Sequence, residues 1–351
     1  MRRALRLTNR VKTHPSPGVG AVVVKDGELI SEGWTYHTPK VHAEAMAIAL
    51  AGERAQGATI YTTLEPCSHW QRSDGSGRTP CTHYCTQAGI VRVVAATLDP
   101  NPQVSGEGFV QLEAAGIALT VGIGEEQAKE AHRAFLKHQT TGMPFVTHKA
   151  AMTLDGKLAA SHAAPLAITG EPARRAVHRL RAKSDAVIVG VGTVLADDPE
   201  LTVRLVRGKS PVSVIFDSHL RTPQTARLNR PGTLILTCQQ AVETVGWNAE
   251  LVTLPADANG QVAVTPALQL LAERGLLELL LESGGELAAA FHAAQAVDRC
   301  LFFIAPKLIG GSGAPTPLDG PGLPNPVNLE RLRVHRYGPD IALEGTLLRQ
   351  Q

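Results

Sequence analysis

The 351-residue chain exceeds the usual length of one domain, so two compact units are expected. Its 44% hydrophobic and 19% charged residues suit a globular protein with a packed core, and a formal net charge of +2 removes the electrostatic case for nucleic acid or membrane as a main partner. Met1-Arg2-Arg3 is followed by an amphipathic stretch over residues 4–10 rather than the apolar run of a signal peptide, and no window approaches 18 continuous apolar residues. The five cysteines are odd in number and cluster at Cys67, Cys81 and Cys85, with Cys238 and Cys300 alone. That spacing suits a metal site in reducing cytoplasm better than a disulfide framework.

In chain order, residues 19–24 read as a strand, 25–28 as a hairpin turn and 29–32 as the return. Helical periodicity follows over 41–55, then a β-rich run over 58–64 and a helix near 81–88. A strand at 91–97, a helix at 108–115 and a strand at 117–121 complete an α/β/α layered unit. Residues 123–143 are expected to connect it to a second α/β unit over 144–351. There, strand-like runs at 145–152, 186–191, 212–216, 233–237, 277–282 and 300–305 enclose helices at 171–183 and 266–274. A Gly- and Pro-rich loop over 310–326 precedes a final strand pair.

The chemistry-bearing pattern lies in the first unit. His42-Ala43-Glu44 opens a predicted helix, and Glu65-Pro66-Cys67 follows a strand. A catalytic zinc needs three protein ligands and an open position for water. His42, Cys67 and Cys81 supply one imidazole and two thiolates, and Glu44, two residues from the histidine, is placed to carry the proton of that water. Thirteen residues separate Cys67 from Cys81, whereas the general zinc-deaminase signature has two. Cys85, His69 and His83 are therefore competing candidates for the third ligand, and counting back from Gly89 favours Cys81. A structural zinc module is the non-enzymatic alternative, and it would need four protein ligands.

These residues resemble the bifunctional riboflavin-biosynthesis deaminase/reductase family along nearly the whole chain. The stretch from Thr63 to His69, followed by Gly77-Arg78-Thr79-Pro80-Cys81, is similar to the family's zinc loop with residues 70–76 inserted. The segment Asp99-Pro100-Asn101-Pro102 resembles its substrate loop, and the resemblance implies substrate contacts for Asp99, Asn101, His69 and Ser16. Lys149 to Lys157 resembles the start of the family's dihydrofolate-reductase-like α/β domain, and Gly192 to Arg204 resembles its most specific motif. The resemblance implies that Ala151, Ala167, Thr193, Asp197, Ser283, Gly284 and Gly285 meet NADPH. It likewise places Lys149, Arg181, Arg204 and Glu282 toward the substrate. Small residues at 284–285, opening a helix, suit a phosphate at the helix N-terminus.

The fold expectation is accordingly an N-terminal cytidine-deaminase-like domain over 1–122 and a dihydrofolate-reductase-like domain over 144–351. The resemblance implies deamination of 2,5-diamino-6-ribosylamino-4(3H)-pyrimidinone 5′-phosphate, then NADPH-dependent reduction of ribosyl to ribityl, in a cytoplasmic homodimer acting on a small molecule. The chain departs from the family at Ser16, where an Asn is usual, and over residues 162–169, where a Trp and a Ser give way to Ala167 and Pro165. A deaminase-dominant homologue, with an impaired reductase or a related pyrimidine or nucleoside substrate, is the competing reading.

Overall fold

The computed structural model describes residues 1–8, 10, 12–37, 40–70, 77–101, 105–159, 167–240, 245–320, 322–323 and 325–348. Pro165 and most of the inserted loop, residues 71–76, lie outside them. The chain divides into two units, Met1–Gly142 and Met143–Gln351.

The first unit begins with helix α1 (Arg2–Leu7), strands β1 (Gly20–Lys25) and β2 (Glu28–Trp34), and the short pair β3 (Tyr36–His37) and β4 (Lys40–Val41). Helix α2 (Ala43–Ala51), strand β5 (Thr59–Thr62), helix α3 (Cys81–Gln87) and strand β6 (Arg92–Ala95) follow. Helix α4 (Glu107–Ala114), strand β7 (Ala118–Val121) and helices α5 (Glu125–Ala131) and α6 (Arg133–Thr141) complete it. The sheet order is β2-β1-β5-β6-β7. The β1–β2 and β1–β5 pairs are antiparallel, and β5–β6 and β6–β7 are parallel. Alternation is strict where one face meets helices: Ile60 and Thr62 of β5 are buried while Thr59 and Tyr61 are half-buried.

Two glycines permit close layering. A Cβ on Gly33 would lie 2.1 Å from the Ala43 carbonyl oxygen, and one on Gly20 the same distance from that of Ala4, so α2 and α1 press directly on the sheet. The core between them is built from Val19, Ala21, Val23, Ala47, Ile60, Val93, Leu112 and Phe135.

Within residues 123–143, expected to be a connection, lie α5 and α6, and the first unit runs on to Gly142. Their amphipathicity explains it: Ala128, His132 and Phe135 recur at helical spacing and are buried, while Glu125 and Glu126 occupy the first turn, where the helix dipole favours acids.

The second unit comprises β8 (Phe145–Thr153), α7 (Glu171–Lys183), β9 (Ala186–Gly190), α8 (Val191–Asp197), β10 (Val212–Phe216), β11 (Thr233–Thr237) and β12 (Glu250–Thr253). It ends with α9 (Val264–Glu273), β13 (Glu278–Leu281), α10 (Gly285–Ala293), β14 (Arg299–Ala305), β15 (Leu329–Tyr337) and β16 (Asp340–Leu347). The nine-stranded sheet runs β12-β11-β10-β9-β13-β8-β14-β16-β15. Pairing is parallel from β12 through β14, and the β14–β16 and β15–β16 pairs are antiparallel. Strands covered on both faces read as unbroken apolar runs, as in the fully buried Leu-Leu-Leu of β13 and Leu-Ile-Leu of β11.

Carboxylates pin the starts of several elements. Asp185 Oδ2 accepts the Leu277 and Glu278 amides at 3.0 and 2.8 Å, and Asp298 Oδ2 accepts that of Val146 at 2.8 Å. Asp340 likewise takes the Gly170 amide at 2.7 Å ahead of α7. The short helix α8, directly continuous with β9, went unread in the sequence because Val191-Gly192-Thr193-Val194 has the composition of a strand end.

Candidate active sites

His42 is the N-cap of α2, so its side chain stands at the mouth of the helix while Glu44, in the first turn, points inward and is 3% exposed. Cys81 is the first residue of α3, entered through Pro80, and Cys67 lies in the loop after β5. The three converge: His42 Nδ1 is 3.5 Å from Cys67 Sγ and 3.3 Å from Cys81 Sγ, and the Cys81 amide donates to Cys67 Sγ at 3.3 Å. Their ligand atoms form a cluster able to hold a metal ion. Tetrahedral zinc, with Zn–S near 2.3 Å and Zn–N near 2.05 Å, sets an N–S edge of about 3.6 Å. The donor set and spacing therefore fit zinc.

Hydrogen bonding from Cys81, opposed by burial and aided by His42 and Arg78, pushes the Cys67 thiol down to about 3. Cys85 lies in the apolar core of the unit, and burial pushes its thiol up. Of the two cysteines among the candidates for the third ligand, Cys81 is the one brought beside His42. Cys81→Ser is expected to remove bound zinc and Cys85→Ser to leave one zinc per chain, measured by elemental analysis of the purified variants. Zinc retained in Cys81→Ser and lost in Cys85→Ser would reverse the assignment.

Burial raises the Glu44 carboxyl above its ordinary range, the effect of His42 notwithstanding. Its Oε2 is 3.5 Å from Cys81 Sγ, and its Oε1 is 3.1 Å from Thr62 Oγ1, which is also 3.0 Å from the Leu64 carbonyl. The Thr62 hydroxyl has one proton and two lone pairs. It can donate to ionised Glu44, or accept from protonated Glu44 while donating to Leu64. One side chain can thus serve both protonation states of Glu44. No spacing signal marks Thr62 in the sequence, where it is one more residue of a β-rich run.

A second unread residue is Glu65. Its buried carboxylate accepts the Asp99 and Gly106 amides at 3.1 and 3.0 Å through Oε2 and the Gly108 amide at 2.9 Å through Oε1. Gly108 packs so closely that a Cβ would lie 2.2 Å from the Pro66 carbonyl oxygen. Glu65 therefore tethers the segment carrying Asp99 and Asn101 to the segment carrying Cys67. Within that segment Asp99 Oδ1 accepts the Asn101 amide at 2.9 Å, and burial raises the Asp99 carboxyl. Exposed His69 meets Arg78, whose Nη1 is 3.5 Å from His42 Nε2. Half-buried Ser16 sits in a turn closed by its amide on the Thr13 carbonyl at 2.9 Å.

In the second unit, β9 and β13 are neighbouring parallel strands, and their carboxyl ends lead into α8 and α10, where ligands of such sheets bind. Glu282 follows β13. Its carboxylate takes Arg181 Nε at 2.7 Å on Oε1, and Arg181 Nη2 and Lys149 Nζ at 3.0 Å on Oε2. Burial alone would raise this carboxyl, but Arg181 and then Lys149 outweigh it and hold it well below the usual range. Arg181 Nη1 also reaches the Thr202 carbonyl at 3.3 Å, so α7 braces the 201–204 loop.

Exposed Arg204 pairs with Glu200, and its amide donates to His178 Nδ1 at 3.0 Å. Thr193 is half-buried on α8, and Asp197 is exposed near its end with its carboxyl raised by partial burial. Ala151 is half-buried in β8, and exposed Ala167 offers its carbonyl to Lys307 Nζ at 3.2 Å. The residues expected at the phosphate divide in role. Gly284 is open, whereas a Cβ on Gly285 would meet Asp319 Oδ2 at 2.4 Å and the Thr316 carbonyl oxygen at 2.5 Å. Gly285 is thus small to admit the 316–319 loop. Ser283 Oγ is buried without a hydrogen-bond partner at the start of the nine-residue helix α10. An orphan hydroxyl beside open space at a helix N-terminus fits an anionic cofactor group such as those of NADPH.

Fold and sites together define a class: a zinc-binding deaminase unit followed by a nucleotide-dependent reductase unit. Residues 1–97 match the cytidine and deoxycytidylate deaminase zinc-binding region, and residues 144–343 match the RibD C-terminal domain. The chain is 38% identical to the riboflavin biosynthesis protein RibD of Aquifex aeolicus, over 98% of this chain and 96% of that one. It is similar to a solved RibD of Acinetobacter baumannii, with a TM-score of 0.85, 35% identity, and 99% and 97% of the two chains covered. A diaminohydroxyphosphoribosylaminopyrimidine deaminase/5-amino-6-(5-phosphoribosylamino)uracil reductase from Thermotoga maritima gives a TM-score of 0.86 at 32% identity, over 99% and 97% of the chains. The chain belongs to the RibD family of riboflavin biosynthesis proteins. In that family the deaminase domain is zinc-binding and the reductase domain uses NADPH.

Proposed function

We propose that the chain hydrolyses the exocyclic amine of 2,5-diamino-6-ribosylamino-4(3H)-pyrimidinone 5′-phosphate and then reduces the ribosyl group of the product with NADPH. The observation that carries the first step is the convergence of His42, Cys67 and Cys81 beside buried Glu44. Zinc held by those three supplies Lewis-acid activation of water. Glu44 would pass two protons in turn, the first from the attacking water to the ring nitrogen and the second from the newly added hydroxyl to the departing amine, with Thr62 compensating its charge at each stage. The Asp99–Asn101 segment, tethered by Glu65, and His69 and Ser16 hold the pyrimidine ribosyl phosphate.

In the second unit, NADPH supplies the hydride. Ser283, Gly284, Thr193, Asp197, Ala151 and Ala167 line its place, and Lys149 and Arg181, aligned by Glu282, meet the substrate with Arg204 at its phosphate end. Ala167 presents no ring for stacking, so weaker cofactor binding than in a homologue with Trp there is the expected cost. Ala167→Trp is expected to lower the KM for NADPH several-fold with kcat little changed, read from steady-state oxidation of NADPH. An unchanged KM would remove Ala167 from the cofactor site.

Among the described residues no helix is long and apolar enough to cross a membrane. The working assembly is a cytoplasmic homodimer that acts on a small molecule and not on nucleic acid. Exposed Leu332 and Val334 on edge strand β15, at 65% and 69% exposure, support the dimer. The functional test is ammonia release from the diaminopyrimidine phosphate without NADPH, and NADPH oxidation by the deaminated intermediate supplied alone. Absence of the first activity would refute the deaminase assignment, and absence of the second would favour the deaminase-dominant reading.

A further inference from the structure

Outside both sites, three metal-ligating side chains meet inside the second unit. His148 lies on β8, Cys300 is its direct partner in register on β14, and His292 comes from the last turn of α10. Their exposures are 0%, 4% and 8%. One ligand atom from each lies within 4.8 Å of the others, and His148 Nδ1 is 3.1 Å from His292 Nε2. The outer nitrogens, His148 Nε2 and His292 Nδ1, are buried and have no hydrogen-bond partner.

This pair is a poorly satisfied core hydrogen bond. Whichever neutral imidazole donates, the accepting ring carries its own proton on the outer nitrogen, where no acceptor lies. The two inner nitrogens and the Cys300 sulfur are the atoms a metal ion would take in place of this contact, each outer nitrogen then carrying a proton. We propose that His148, His292 and Cys300 form a second metal site that binds one copper(I) ion.

The choice of ion follows from charge and softness. Two neutral imidazoles and one thiolate carry a single negative charge, so a monovalent cation leaves the site neutral. A dication would leave one uncompensated charge in an apolar core among Phe302, Phe291 and Leu281, and buried ions without compensation are strongly disfavoured. Thiolate and imidazole donors suit copper(I), for which low coordination is acceptable. On binding, the Cys300 S–H bond breaks, a sulfur–copper bond forms and the proton leaves to solvent; copper enters as copper(I) and no redox step is involved. Two imidazole nitrogens about 2.0 Å from a trigonal ion stand about 3.5 Å apart, so the observed pair opens by a few tenths of an ångström.

Neither outer nitrogen gains an acceptor in the bound state. The rings are held by packing, His148 edge-on to Phe302 at 5.0 Å between centroids, so affinity is about 10–100-fold below that of sites whose histidines are anchored to carbonyls or carboxylates.

The test loads the zinc-replete full chain with copper(I) from a buffered chelator under anaerobic conditions and counts both metals. One copper retained per chain beside one zinc is expected, retained also in Cys238→Ser and lost in His148→Leu and Cys300→Ala. X-ray absorption at the copper edge of the wild-type protein is expected to show two nitrogens and one sulfur. It keeps the inference open to refutation should Cys300→Ala fail to fold, and His148→Leu places an apolar residue in an apolar core. Copper retained in His148→Leu, a copper spectrum without sulfur, or a second zinc in place of copper would each overturn the proposal.

Discussion

Glu44→Gln is expected to lower kcat for deamination about 10²–10⁴-fold, the span that a positioned general acid–base group contributes, while zinc content stays at one per chain. The amide preserves volume and still accepts from Thr62, but it cannot take a proton from water. Because His42, Cys67 and Cys81 remain, metal loss is not the cause of the defect. Reduction of the deaminated intermediate should proceed at the wild-type rate, since its residues lie in the other unit. The paired assay of ammonia release and NADPH oxidation separates the two effects. Deamination retained in Glu44→Gln would remove the carboxylate from the chemistry.

Glu282→Gln is expected to destabilise the second unit by about 3–5 kcal/mol, the usual result of removing one partner from a buried ion cluster. Arg181 and Lys149, each 13% exposed, would face one another without the carboxylate that both contact at 3.0 Å or less. Denaturant unfolding, followed as two transitions because the chain has two units, checks the shift. Lys149→Met combined with Glu282→Gln should recover part of the loss by removing one stranded cation.

The pH dependence has a definite sign. The Glu282 carboxyl is depressed in the folded state, so its contribution is present above the unfolded value, near 4.3, and is lost as pH falls through the lower folded one. The wild-type transition should weaken in acid below about pH 4.3, and the Glu282→Gln transition should be flatter over that window. A Gln variant as stable as wild type would mean that the triad is held by other contacts.

What could be read before the fold was known follows from how local each signal is. His42-Ala43-Glu44 and Pro66-Cys67 are contiguous, and their chemistry needs only that a helix and a loop present them. The continuous apolar strands of the parallel sheet were legible for the same reason, because burial on both faces leaves no polar interruption. Counting back from Gly89 favoured Cys81 over Cys85 but gave no physical contact to decide between them. The two stand one helical turn apart, and only the direction of α3 places Cys81 beside His42 and Cys85 in the core.

Residues whose role depends on distant partners were silent. Glu65 acts through three amides more than thirty residues away, and Thr62 is defined by Glu44 and Leu64 together. His148 and Cys300 stand 152 residues apart, and with His292 they share no motif. The stretch 123–143 reads as a connection because its charged residues hide a narrow buried stripe, Ala128, His132 and Phe135. Gly285 shows the converse. Its smallness was attributed to a ligand, but a neighbouring loop already requires it.

Mass analysis of products tests most directly whether one chain performs two ordered steps at two sites. The diaminopyrimidine ribosyl phosphate is incubated with the purified protein without NADPH and then with it. Without the cofactor, the product should show only the exchange of the amine for oxygen; with it, the same species should gain two hydrogens. A two-hydrogen gain on the still-aminated substrate, or no exchange of amine for oxygen under either condition, would contradict the account.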